Sequence, residues 1–161
     1  MKILVAVDGS EYSRDALVKA AELASGLPAQ LLILTVSNYV NFGTMGPLGY
    51  GPDAAIEVPS KEEAANILQA ASDFLAARGL QTTTFHRLGN FAETILAMAE
   101  EAHVDLVVMG SHGRTGLQRF LLGSVSSQVM SHAPCSVLIA KGPHPVNEET
   151  IPIPATHIEK I

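Results

Sequence analysis

The 161-residue sequence has one cysteine, no tryptophan, only 5% aromatic residues and no hydrophobic run of membrane-spanning length. A lone Cys135 excludes a disulfide within the chain. Its place before the apolar run Ser136–Ala140 predicts a small buried side chain rather than a reactive thiol. The apolar run at residues 3–7 is too short for a signal peptide. We therefore expect a soluble, cytoplasmic protein.

Basic residues are also scarce, with 10 Lys and Arg against 16 Asp and Glu, a net charge of -6 and a pI near 5.4. This charge has the wrong sign for a protein that binds nucleic acid or an anionic membrane through phosphates. The six histidines lack metal-ligand spacing, so no protein-only metal site is predicted. A chain of this length with 47% hydrophobic residues is expected to form one domain.

Short aliphatic and β-branched runs alternate along the chain with longer segments of helical period. This alternation predicts βαβ units, that is, a parallel sheet with helices on both faces. Helices are expected over 11–25, behind the capping box Ser60 to Glu63, after Asn90, and over 124–132. Five strands are predicted, at Lys2–Val7, Gln30–Val36, Gln81–His86, Asp105–Met109 and Ser136–Ala140.

Two segments fall outside this pattern. The segment Asn38–Pro59 contains four glycines and three prolines, which predicts a long loop without a regular element, either functional or mobile. The segment 142–161 contains four prolines and is interpreted as an extended tail without a core of its own. We therefore divide the chain into a domain at 1–141, which includes the long loop 38–59, and a Pro-rich C-terminal tail at 142–161.

The segment 105–126 combines an apolar run, a glycine-dense loop and a Gly-Ser pair that opens a helical stretch. Its skeleton is Gly110-x-x-Gly113, nine further residues, then Gly123-Ser124. Glycines allow backbone amides to approach a ligand, and a helix N-terminus directs unpaired N–H groups at an anion. The P-loop and dinucleotide motifs are absent. The spacing predicts a phosphate site with hydroxyls from Ser124 and Ser126 and a charge from Arg114, although Ser124 could instead cap its helix.

This skeleton, together with the opening Ile-Leu-Val-Ala-Val-Asp-Gly-Ser at residues 3–10, resembles the ATP-binding branch of the universal stress protein family over roughly residues 1–141. The resemblance implies an adenine nucleotide alpha hydrolase-like fold, with a five-stranded parallel sheet in the order 3-2-1-4-5. ATP would lie across the carboxyl ends of the strands. In that order the chain reverses direction between strands 1 and 4, where open α/β sheets bind ligands. Asp8 and Gly110 are expected to meet there.

Carried over by position, the resemblance implies that residues 6–8 lie along the adenosine and that Val36, at the end of strand 2, presents backbone groups to the adenine. The loop from Ser111 to Gly116 would wrap the phosphates. Asp8 could instead cap the first helix, and His112 could be a loop histidine without a role. The implied binding residues are Ala6, Val7, Asp8, Val36, Met109, Gly110, Ser111, His112, Gly113, Arg114, Thr115, Gly116, Gly123, Ser124, Val125 and Ser126.

Phosphoryl transfer requires a positioned water, a cation on the γ-phosphate and a held metal ion. Only Arg114 is an obvious candidate, so we assign no catalytic residue. We predict a stress-response switch that binds ATP, with Mg²⁺ carried by its phosphates, hydrolyses ATP slowly at most, and acts on an unknown regulatory partner. The alternative is an enzyme of the related hydrolase-like fold that cleaves ATP or transfers its phosphate or adenylate. The resemblance also implies a homodimer through the apolar fifth strand, Ser136–Ala140.

Overall fold

Helices and strands alternate in the structure, a computed structural model that describes residues 1–41, 55–114 and 122–142. The strands are β1 (Lys2–Ala6), β2 (Gln30–Asn41), β3 (Ala55–Val58), β4 (Thr82–Leu88), β5 (Leu106–Gly110) and β6 (Ser136–Ala140). The helices are α1 (Glu11–Gly26), α2 (Lys61–Ala76), α3 (Phe91–Glu101) and α4 (Ser124–His132). Each predicted strand and helix is present, and the strand ends differ from the predicted ones by at most two residues except at the end of β2.

Five parallel strands form the sheet in the order β4-β2-β1-β5-β6. This is the predicted order 3-2-1-4-5, so the fold class is confirmed. β1 lies in the centre, where Leu4 pairs with Leu32 of β2 on one side and with Val107 of β5 on the other. The carboxyl ends of β1 and β5 therefore lie side by side, at the point where the chain changes direction.

The segment 38–59 contains regular structure that the sequence did not indicate. β2 continues through Asn41, and β3 pairs with this extension in antiparallel fashion, with Asn38 opposite Val58. The prediction of a loop throughout 38–59 is therefore wrong at both ends. All four glycines lie between residues 43 and 51, whereas the two ends carry Tyr, Val and Ile, which favour strands. Residues 42–54 lie outside the described part, as does the tail beyond Gly142.

Side-chain caps begin three of the four helices in the described part of the chain. The Ser60 hydroxyl accepts a hydrogen bond from the Glu63 N–H at 3.2 Å, and the Asn90 side chain accepts one from the Glu93 N–H at 3.2 Å. These are the two caps predicted from the sequence. At α1 the cap is Ser10, whose hydroxyl accepts from Ser13 N–H. The helix α4 begins differently, and this difference bears on the site.

The two faces of the sheet form separate cores because side chains alternate along each strand. One core packs β-strand residues against α1 and α2, and includes Ile3, Val5, Leu17, Ile33, Leu75 and Val108. The other packs the opposite faces of the same strands against α3 and α4, and includes Leu4, Leu34, Val36, Ile95, Met109 and Val129. Of the implied binding residues, Val7, Val36 and Met109 are thus core side chains, and their backbones are the parts available to a ligand.

Candidate functional site

The turn between β1 and α1 is fixed by hydrogen bonds around Asp8. Oδ1 of Asp8 accepts from the Ser10 N–H at 3.0 Å and from the Ser10 hydroxyl at 2.6 Å. Gly9 has φ of +81°, and an added Cβ would lie 3.2 Å from Ile67. Ser10, not Asp8, is the N-cap of α1. The alternative that Asp8 caps the first helix is therefore replaced by an indirect role, in which Asp8 orients the capping serine.

Asp8 also binds the glycine loop that follows β5. Its other oxygen, Oδ2, accepts a hydrogen bond from the Arg114 N–H at 3.1 Å. A Cβ at Gly113 would stand 3.0 Å from the same oxygen. The predicted meeting of the β1 end with the loop after β5 is thus confirmed for Asp8 and the segment that follows Gly110.

The first part of the motif, which we call the strand-side half (residues 110–114), is packed tightly against its surroundings. An ideal Cβ on Gly110 would lie 2.6 Å from the carbonyl carbon and oxygen of Tyr12 in α1. Ser111 is buried, and its N–H donates to the Ala140 carbonyl at 3.1 Å. Glycine at 110 is therefore required because α1 passes directly over the end of β5, independently of any ligand.

His112 and Arg114 continue the strand-side half toward the surface. Nδ1 of His112 lies 3.1 Å from the Ser111 hydroxyl oxygen, and its ring centroid lies 5.2 Å from that of Tyr12. The guanidinium of Arg114 donates a hydrogen bond to Oε1 of Glu63 on α2. His112 is thus held by neighbours within the fold, and the charge that was predicted for phosphates is paired with a carboxylate.

Glu63 is a residue of this region that the sequence analysis did not assign to the site. It was interpreted only as part of a capping box, and its N–H does donate to Ser60 as that box requires. Its carboxylate, however, accepts from Arg114. This hydrogen bond and the guanidinium charge hold the pKa of Glu63 below its usual value, although partial desolvation acts in the opposite direction.

The second part of the motif, which we call the helix-side half (residues 122–126), presents the start of α4. Its N-cap is Gly123, which offers no side-chain hydrogen bond to the first turn. The Gly123 N–H donates to the Ser111 carbonyl at 2.7 Å and so attaches α4 to the strand-side half. Within the described residues, the first-turn N–H groups of α4 at 124–126 therefore lack the side-chain acceptor found at α1, α2 and α3.

The two serines of the helix-side half, Ser124 and Ser126, have different roles. Ser124 is the first helical residue and is exposed, so the alternative that it caps the helix is wrong. Ser126 is buried, and its hydroxyl donates to the Gly110 carbonyl at 2.9 Å. A hydroxyl has one proton to donate. The hydroxyl of Ser124 is thus available to a phosphate, whereas Ser126 can offer its backbone N–H. Val125 lies between them and packs partly into the α3–α4 core.

Val36 lies inside β2 rather than at its end, because the strand continues to Asn41. The Leu34 carbonyl accepts from Val7 N–H on the side of β1, and the Ser37 carbonyl accepts from Gly89 N–H on the side of β4. Backbone groups alternate between the two edges of a strand. The N–H and C=O of Val36 therefore face the same side as Leu34, just beyond the end of β1.

The remaining predicted positions are distributed along the strand ends. Ala6 ends β1, and the carbonyl of Val7, the next residue, accepts a hydrogen bond from Thr35 Oγ1 at 3.0 Å. Met109 is buried beside them on β5. Thr115 and Gly116 lie outside the described residues. The structure therefore assembles Ala6, Val7, Asp8, Val36, Met109 and the two halves of the motif at one edge of the sheet.

An open cleft of about 380 Å³ lies at this edge, between the start of α1 (residues 9–12) and the motif residues Gly113 and Arg114. Among the described residues, no group of three or more His, Cys, Asp or Glu side chains is placed to hold a metal ion. None of the described helices is long and apolar enough to cross a membrane. The donors at this edge are backbone amides and hydroxyls, which suit an anionic organic ligand.

Known proteins resemble this chain in sequence and in structure. The model of the universal stress protein family matches residues 1–141. The universal stress protein YxiE of Bacillus subtilis (strain 168) is 38% identical over 145 residues, covering 87% of this chain and 98% of YxiE. The solved structure of universal stress protein UspA from Lactobacillus plantarum is 26% identical with a TM-score of 0.70, covering 88% of this chain and 97% of that chain. A universal stress protein solved in complex with cAMP is 26% identical with a TM-score of 0.65, covering 87% and 95%.

Proposed function

The chain belongs to the universal stress protein family, and from this membership we propose that it binds an adenine nucleotide, with ATP as the expected ligand, and acts as a nucleotide-dependent switch in the stress response. The observation that carries the proposal is the start of α4. Among the described residues, the first-turn amides that follow Gly123 have no side-chain acceptor, and they lie next to the strand-side half, whose Arg114 N–H is bound by Asp8. A relative of 26% identity was solved with cAMP, which supports an adenine nucleotide as the ligand class.

Each part of such a ligand has a matching group. The backbone of Val36 faces the space beyond β1, where it suits the adenine edge, and Asp8 lies at the adjoining strand end for the ribose. The first turn of α4 and the Ser124 hydroxyl suit the phosphates. Hydrogen bonds to charged groups contribute roughly 1.5 to 3 kcal/mol each, so six would offset the cost of association and give an affinity of about micromolar order. Mg²⁺ would arrive with the phosphates and keep most of its waters.

We propose that turnover is slow at most. Hydrolysis needs a cation on the γ-phosphate and a group that orients the attacking water. In this structure Arg114 is paired with Glu63, and His112 contacts Ser111 and Tyr12. Steady-state ATP hydrolysis well above about one turnover per minute, lost in Arg114→Ala and Asp8→Ala, would favour the alternative of an ATP-cleaving enzyme.

We also propose a cytoplasmic homodimer that pairs through β6. β6 is an edge strand of the parallel sheet, and its residues Leu138 and Ile139 are only partly buried. An apolar edge strand is normally covered. Leu138→Lys should convert the protein to a monomer in sedimentation experiments at low micromolar concentration. A dimer that persists in this variant would contradict pairing through β6.

The nucleotide proposal is tested by identifying what the purified protein carries and binds. Small molecules released by denaturation are identified by mass spectrometry, and thermal shifts are recorded with Mg-ATP, AMP and cAMP, with Mg-GTP as the comparison ligand. We expect an adenine nucleotide in the released fraction or a shift with at least one adenine ligand. The absence of both a retained adenine nucleotide and a thermal shift would refute the proposal.

A charge placed in the helix-side half sharpens this test. Ser124→Asp adds a carboxylate at the first residue of α4, where the helix dipole favours a negative charge but a phosphate would be repelled. Gln128→Glu adds the same charge on the exposed side of the same helix, one turn further along. We expect Ser124→Asp to weaken nucleotide binding about tenfold or more and Gln128→Glu to change it less than threefold. Equal effects would exclude the start of α4 as the phosphate site.

A further inference from the structure

Arg114 is held at both of its ends by carboxylates from separate elements. Its backbone N–H donates to Asp8 at the end of β1, and its guanidinium donates to Glu63 in the first turn of α2. The Arg114 and Glu63 side chains are 40% and 43% exposed. The only cation in the described part of the motif is thus occupied, at a position that a dissolved anion can reach.

A phosphate chain and Glu63 compete for the same guanidinium. Arginine binds carboxylate and phosphate through the same fork of N–H donors. When a phosphate approaches Arg114, it must displace the carboxylate or accept repulsion from it. This cost grows with the number and charge of the phosphates that come near, and it is absent for a nucleoside. The contact with Glu63 therefore discriminates between ligands by the length of their phosphate chain.

We propose that Glu63 is a specificity-determining residue of the nucleotide site. By binding the Arg114 guanidinium, it weakens the preference of the site for nucleoside triphosphates over nucleoside monophosphates. The inference rests on the proposed function, since it concerns the same site. It also has a structural consequence, because a ligand that captures Arg114 leaves the Glu63 carboxylate, in the first turn of α2, without this partner.

The test compares Glu63→Gln with Glu62→Gln by isothermal titration with ATP, ADP, AMP and adenosine. Glu62 is the matched control, because it is an exposed glutamate in the same first turn, and its substitution removes the same charge one residue away. We expect Glu63→Gln to bind ATP about three- to tenfold more tightly than the wild type, AMP less than twofold more tightly, and adenosine equally. Glu62→Gln should change each affinity less than twofold.

A spectroscopic measurement distinguishes loss of the contact between Arg114 and Glu63 from the mere loss of one negative charge near the site. The ¹⁵Nε–Hε resonance of Arg114, assigned by its loss in Arg114→Lys, should shift when ATP is added to the wild-type protein. In Glu63→Gln without ligand it should already have moved from its wild-type position. ATP binding that is equal in Glu63→Gln and Glu62→Gln, or weaker in Glu63→Gln than in the wild type, would overturn the inference. Nucleotide binding by none of the proteins would overturn the proposed function and the inference together.

Discussion

The two halves of the glycine motif differ in what holds them. The strand-side half is bound into the fold by the close passage of α1 over Gly110, by the Ser111 N–H on Ala140, and by the contacts of Arg114 with two carboxylates. The helix-side half begins at a glycine N-cap without a side-chain acceptor. The two glycines therefore differ: an added Cβ at Gly110 would overlap the backbone of α1, whereas one at Gly123 would lie 3.2 Å from the Ser111 carbonyl oxygen, and Gly123 gives α4 no side-chain cap.

The strongest test of this comparison is Gly110→Ala. The added methyl group would meet the backbone of Tyr12 at 2.6 Å, and neither α1 nor β5 can move without disturbing the core. We expect a loss of about 3 kcal/mol in the free energy of unfolding, measured by urea denaturation without nucleotide. The control is Gly26→Ala, because no atom lies within 4 Å of its added Cβ. It should change stability by about 0.5 kcal/mol or less.

If Gly110→Ala folds with wild-type stability but loses nucleotide binding, the requirement for glycine at 110 comes from the ligand. The distinction between the two halves would then fail. A loss of stability in the absence of nucleotide is the result that a packing requirement predicts.

Substitutions of Asp8, which binds the strand-side half, should have the second-largest effect on stability. Asp8→Ala removes three hydrogen bonds, two from Ser10 and one from the Arg114 N–H, and should lower the free energy of unfolding by about 2 kcal/mol. Asp8→Asn keeps one acceptor oxygen for Ser10 and places an amide opposite Arg114, so it should lose an intermediate amount. Urea denaturation of both variants checks this order. Equal stability of the wild type and Asp8→Ala would show that the loop does not depend on Asp8.

Ser126 connects the halves and should have a smaller effect. Ser126→Ala removes the hydroxyl that donates to the Gly110 carbonyl and should cost about 1 kcal/mol, while nucleotide affinity changes little because the backbone N–H remains. Ser131→Ala is the matched control, since its hydroxyl makes an exposed bond within the same helix. If Ser126→Ala keeps full stability but binds nucleotide tenfold less tightly, the Ser126 hydroxyl binds the ligand rather than the Gly110 carbonyl.

The alternation of strands and helices predicted the parallel sheet, and the resemblance to the universal stress protein family implied its strand order. That order brings Asp8 and the motif loop together where the chain changes direction. The sequence did not predict the extension of β2. The segment from Asn38 to Asn41 becomes a strand by pairing with β3, a nonlocal contact that local composition does not report. The prediction that Val36 ends its strand was wrong for the same reason.

Glu63 was missed for a different reason. Its spacing from Ser60 fits a capping box completely, so local geometry already explained it. The competing partner, Arg114, lies 51 residues away in sequence, and its backbone N–H is bound by Asp8 from a third element of the chain. Sequence patterns identify side chains that satisfy a local role. They do not show when a cation far away in the sequence forms an ion pair with the same side chain.

Removal of the Glu63–Arg114 pair should have the smallest effect on stability among these tests, because exposed ion pairs contribute little to stability. The bond to Arg114 lowers the pKa of Glu63 in the folded protein below its ordinary value near 4.5, so the unfolded chain binds the proton more tightly. The stabilisation is therefore present at neutral pH and is lost as the pH falls through the folded pKa. We expect Glu63→Gln to melt slightly below Glu62→Gln at neutral pH, with the two melting temperatures converging once the pH falls below the folded pKa of Glu63. A difference that persists at acid pH would assign the effect of Glu63→Gln to packing, and the strand-side half would then not depend on this pair.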